Sequence, residues 1–141
     1  MRFLSMIRID ETTGQVPSEQ LMSEMGQLIE ELTRTGQLVS TAGLRPTSEG
    51  VRVRLHRGGR LALLDGPFTE TKEVIGGYAV LEAQSKAEAV ELTRRFLKVH
   101  GTDWDIECEL RQLDRLCLGL GLQDGVAADH LLGLGERAIH G

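Results

Sequence analysis

Two helices are punctuated into this sequence, each set between stretches that alternate like strands. Ser18 follows Pro17, and its hydroxyl suits an N-cap that accepts from an orphan backbone N–H. Glu19 then sits at the positive end of the helix dipole. Leu21, Met22, Met25, Leu28, Ile29 and Leu32 recur at spacings of one, three or four, which draws one apolar stripe. The methionines in it read as core filling. Gly36 supplies the left-handed stop. The second helix opens on a capping box, Ser85-Lys86-Ala87-Glu88. Its stripe is Ala89, Val90, Thr93, Phe96, Leu97 and His100, and Gly101 closes it.

The strands follow from period-two alternation. Residues 2–9 set Phe3, Ser5, Ile7 and Ile9 on one face and Arg2, Leu4, Met6 and Arg8 on the other. Both faces are partly apolar, which suits a strand inside a sheet. Residues 38–44 form a second strand of weaker pattern. Val51, Val53 and Leu55 alternate with Arg52, Arg54 and His56. Arg57-Gly58-Gly59-Arg60 then turns the chain, and residues 61–64 return as the second arm of a hairpin. Residues 74–83 make the next strand, with Gly76 and Gly77 marking a bulge or a close approach by a backbone or ligand. Ile106, Cys108 and Leu110 alternate with Glu107, Glu109 and Arg111 in the last. The order strand, helix, strand, hairpin, strand, helix, strand is an α+β class: a ferredoxin-like split β-α-β with an inserted β-hairpin. Two helices cover one face of such a sheet and leave the other bare.

The connection from the hairpin into the following strand is the most distinctive segment. It reads Asp65-Gly66-Pro67-Phe68, then Thr69-Glu70-Thr71-Lys72-Glu73, then Gly76-Gly77-Tyr78. This run resembles the signature of the DGPF family, within the YCII-related proteins. The resemblance covers residues 1 to about 113 and implies a dimeric α+β barrel, two domains packed sheet against sheet. It also implies a bacterial protein and an association with extracytoplasmic-function sigma factors. Some members of the wider group carry a His/Asp pair whose histidine lies in the first helix. Here that helix holds no histidine, and Met25 stands near the place. The departure argues against a His/Asp acid–base mechanism.

Asp65 is the expected catalytic group, a carboxylate at a strand end that would act as acid or base. A structural reading stands beside it, in which Asp65 accepts backbone N–H bonds and fixes the turn. Phe68, Thr69, Lys72 and Tyr78 are the expected ligand-binding residues, around a cleft between the bare sheet and residues 65–73. Lys72 or Tyr78 would be the electrophilic partner. Each has a structural alternative: Phe68 as a core plug, Thr69 and Lys72 in a solvated loop, Tyr78 as a donor to backbone.

Composition excludes other classes. The net charge of −5 argues against direct nucleic-acid binding. Arg52, Arg54, Arg57 and Arg60 cluster on the hairpin, where charge also blocks edge pairing. No window reaches transmembrane length, and the apolar run at the N-terminus is too short for a signal segment. A cytoplasmic location and no membrane partner are expected. Cys108 and Cys117 make neither a disulfide framework nor a metal knuckle, and His56, His100, His130 and His140 lack ligand spacing. No metal and no cofactor are expected. Residues 1–113 read as one domain and 114–141 as an extension. In it Leu116, Leu118, Leu120 and Leu122 alternate with Cys117, Gly119, Gly121 and Gln123, and a short helix spans 126–139 with Asp124 as N-cap. That extension reads as a dimer-swapping arm or a helix over the sheet edge. The functional expectation is a homodimer that binds a small molecule, with acid–base enzymatic activity at Asp65. The alternative is a non-catalytic accessory dimer with a protein partner in transcription regulation.

Overall fold

A computed structural model describes residues 1–114. The readings made for the extension lie outside the described residues. The strands are β1 (Arg2–Ile9), β2 (Leu38–Gly43), β3 (Val51–Leu55), β4 (Leu61–Asp65), β5 (Val74–Glu82) and β6 (Glu107–Gln112); the helices are α1 (Glu19–Arg34) and α2 (Lys86–Lys98). Four strands pair in the order β2-β5-β1-β6, and β3 with β4 makes a separate two-stranded sheet. Every pairing is antiparallel. This is the split β-α-β arrangement with the hairpin inserted between β2 and β5.

Both helix starts are formed as their side chains dictate. Ser18 accepts from the Leu21 backbone N–H at 3.0 Å, and Ser85 accepts from that of Glu88 at 3.1 Å. Glu88 reaches back to the Gln84 N–H at 3.4 Å, one residue short of a full capping box. Gly36 and Gly101 have φ of 81° and 76°, the left-handed region that costs glycine least.

The core lies between the helices and one face of the sheet. Phe3, Leu32 and Leu81 are its most buried large side chains, with Leu28, Leu38, Ala79, Ala89 and Leu92 around them. Leu92 is absent from the stripe drawn from the sequence; it stands one turn after Ala89 and is buried with it. Met22 departs the other way. It is 65% exposed, because Leu21, Leu28 and Leu32 already fill the narrower buried strip of α1.

The β1–β5 register slips between Ile7 and Arg8, so Ile7 faces Gly77, Arg8 faces Ile75, and Gly76 is the extra residue of a bulge. The glycine pair is closely approached by its neighbours. A Cβ at Gly76 would lie 2.5 Å from Ile9 Cδ1, and one at Gly77 would lie 3.0 Å from the Ala42 carbonyl oxygen.

Candidate functional site

The Asp-Gly-Pro-Phe segment is built as a joint. Gly66 donates its N–H to the Gly50 carbonyl at 3.0 Å, and the Gly66–Pro67 bond is cis. A Cβ at Gly66 would lie 1.6 Å from the Thr47 carbonyl oxygen, so no other residue fits. The Phe68 N–H donates to Thr47 Oγ1 at 3.3 Å. Thr47 is itself clamped by Glu11: its N–H donates to Oε1 at 2.7 Å and its hydroxyl to Oε2 at 2.6 Å. The Arg52 guanidinium lies 3.9 Å above the Phe68 ring and pairs with Glu70. This pair and the main-chain bond of Glu70 hold that exposed carboxyl below its ordinary range, the main-chain bond having the larger effect. The motif therefore ties three segments together: the turn after β1, the loop between β2 and β3, and the exit of the hairpin. Glu11 and Thr47 escape sequence reasoning because they are 36 residues apart and belong to no local pattern.

The residues expected to form one site have different surroundings. Asp65 ends β4, exposed, and its carboxylate makes no hydrogen bond or ion pair among the described residues. The structural reading of Asp65 as an acceptor in the turn is thereby corrected: the turn is held by Gly66 and Thr47. Phe68 is half-buried under Arg52, and Thr69 is exposed. Lys72 lies near Asp10, whose carboxyl it helps hold below the ordinary range after the larger effects of the Thr12 hydroxyl and N–H. Tyr78 stands in β5 opposite Met6 and Ala42.

A concavity lies on each face of the sheet. On the open face a depression of about 230 Å³ is lined by Met6, Arg8, Glu73, Ile75, Glu109 and Arg111. Of the expected loop only Glu73 reaches it. A larger cavity of about 440 Å³ lies on the helix side. Met25 and Ile29 of α1, Phe96 and Leu97 of α2, and Ile7 of β1 supply its apolar wall. Gly43, Gly76 and Gly77 line it, and Tyr78 is the one expected site residue among its lining. Strand alternation turns the Tyr78 side chain to the open face with Met6, so its share of the wall is main chain.

Four polar side chains enter that wall: Ser5, Thr41, His100 and Cys108. Burial pushes the Cys108 thiol up, against a smaller downward effect from its hydrogen bond with Ser5, and the Glu107 charge pushes it further up. It is therefore a protonated thiol at neutral pH. His100 lies just past α2, its ring edge-on to Trp104 with centroids 5.7 Å apart. The sequence places His100 at the end of the second helix's apolar stripe; its place in a cavity wall depends on α1 and β1, which no local pattern brings near it. Among the described residues no three His, Cys, Asp or Glu side chains are grouped to hold a metal ion. No helix among them is long and apolar enough to cross a membrane.

The chain is 32% identical over 76 residues to an uncharacterized protein of Rhizobium meliloti (strain 1021), a match that spans 54% of this chain and 60% of that protein. The sequence model of the YCII-related domain matches residues 1–99, and it covers both helices, the hairpin, the Asp-Gly-Pro-Phe joint and every cavity-lining residue but His100 and Cys108. With most of the chain matched in this way, the protein belongs to the YCII-related family.

Proposed function

We propose that this protein binds a small molecule in the cavity between its helices and its sheet. The observation that carries the reading is the cavity wall itself. It encloses about 440 Å³, within the usual range for small-molecule sites, and is mostly apolar with a few polar groups converging on it. Acid–base activity in that cavity would fall to His100 among the groups on its wall. A catalytic part for Asp65 is a separate proposal and needs a ligand on the hairpin side; Asp65→Asn tests it, and unchanged turnover would end it. Amide chemical-shift mapping with a library of small apolar molecules tests the cavity reading. Shifts are expected at Ile7, Ile29, Gly77 and Leu97. Shifts confined to the hairpin or the open sheet face would overturn it.

The same proposal includes a homodimer joined through the open sheet face. Leu4, Met6, Tyr78 and Val80 are only half-buried there and Ile75 is 47% exposed, an apolar patch of the kind that marks an interface. Light scattering should give twice the chain mass, and Met6→Arg should shift it toward one.

One observation favours the accessory-protein reading. In the β3–β4 register Val51, Val53, Leu55, Leu61 and Leu63 share one face, and each is more than half exposed. Under that reading the ladder contacts a protein of the transcription machinery. Val53→Ser with Leu63→Ser should then abolish capture of a sigma-factor partner, and unchanged capture would remove the reading.

A further inference from the structure

Three of the polar side chains on the cavity wall already hydrogen-bond within the protein. The Thr41 hydroxyl donates to the Tyr78 carbonyl at 2.9 Å. The Ser5 and Thr93 hydroxyls share a hydrogen bond of 3.3 Å. His100 Nδ1 lies 2.9 Å from the Phe96 carbonyl. A carbonyl can only accept, so Nδ1 carries the proton, and in the uncharged form of the ring the lone pair is on Nε2. No Asp, Glu, Lys or Arg lines the cavity among the described residues. Among these side chains His100 Nε2 and the hydroxyl oxygen of Thr41 remain as acceptors for a ligand.

We infer that the cavity takes an uncharged, mostly apolar molecule bearing a hydroxyl or N–H donor, and that His100 Nε2 accepts its proton in a hydrogen bond. The inference rests on the small-molecule reading above and specifies its ligand class. An anion entering this wall would lose its water and meet no cation; a cation would meet no carboxylate. Either must surrender hydration without a charged partner. A hydrocarbon fits the apolar wall but leaves the imidazole acceptor without a donor. A neutral donor on an apolar skeleton is the one class that satisfies both parts of the wall.

Trp104 is the chain's single tryptophan and its ring lies against His100, so its emission reports on this corner. The test titrates the full-length chain with three probes of one skeleton: 4-cyclohexylbutan-1-ol, butylcyclohexane and 4-cyclohexylbutanoate. The alcohol should bind tightest and the carboxylate weakest. His100→Phe, read by calorimetry, keeps the ring volume and removes the acceptor. It should weaken the alcohol about five- to tenfold, as expected for one lost hydrogen bond, and leave the hydrocarbon unchanged. His100→Leu, which also removes the acceptor, is the second variant and should weaken the alcohol alone if His100→Phe fails to fold. A carboxylate that binds as well as the alcohol, or variants that weaken all probes equally, would overturn the inference and leave the cavity reading standing. Failure of all three probes to bind would overturn both.

Discussion

Gly66 has no room for a side chain, and Asp65 beside it has no partner among the described residues for the one it carries. The adjacent residues of one motif therefore make opposite predictions. Gly66→Ala drives a methyl group into the Thr47 carbonyl, a backbone atom that cannot rotate away. It should lower stability by about 3 kcal/mol or more in denaturant melts. Asp65→Asn should change stability by less than about 0.5 kcal/mol in the same melts, as for an exposed residue with no contact to lose. Equal effects of the two would refute the joint as described. Glu11 supplies the clamp that sets Thr47 against Gly66 through two hydrogen bonds to a carboxylate. Glu11→Ala should cost about 1–3 kcal/mol, and a neutral result would show that Thr47 is held by its backbone alone.

Elements with local signals were legible in the sequence. The hydroxyls of Ser18 and Ser85 start both helices where a capping residue precedes an apolar stripe. The strand order follows from alternation, and the bulge from the glycine pair. Less was legible about depth. Met22 and Leu32 belong to one stripe by spacing, yet Met22 is 65% exposed and Leu32 is 0% exposed. The angle at which α1 meets the sheet decides this, and a helical period carries no angle. Leu32→Ala should therefore cost about 2–5 kcal/mol and Met22→Ala less than about 0.5 kcal/mol in thermal melts. The candidate site was the least legible part. A sequence motif draws attention to residues that are near one another in the chain, and residues 65–73 are dense in polar groups. The cavity is assembled instead from six elements or their ends, to which Ile7, Met25, Thr41, Gly77, His100 and Cys108 belong, one from each. Only the Gly76-Gly77-Tyr78 segment belongs to both sets.

At the scale of the molecule, the sheet divides two kinds of surface. Its helix side carries the core and, past Ala79 and Ser5, opens into the cavity where glycines replace larger side chains. Its other side carries Leu4, Met6, Tyr78, Val80 and Ile75 toward solvent. The Asp-Gly-Pro-Phe joint fixes the hairpin to the turn after β1, so the loop leading into β5 is anchored at the end of that strand whose glycines line the cavity. In this account the motif holds the frame, and the ligand sits between helices and sheet. Native mass spectrometry of the gently purified protein, beside a Met25→Trp variant that fills the cavity from α1, tests that claim most directly. The account predicts a dimer carrying a small extra mass in the wild type, and the same dimer without it in Met25→Trp. An extra mass retained in full by Met25→Trp would contradict it, because the ligand would then sit elsewhere.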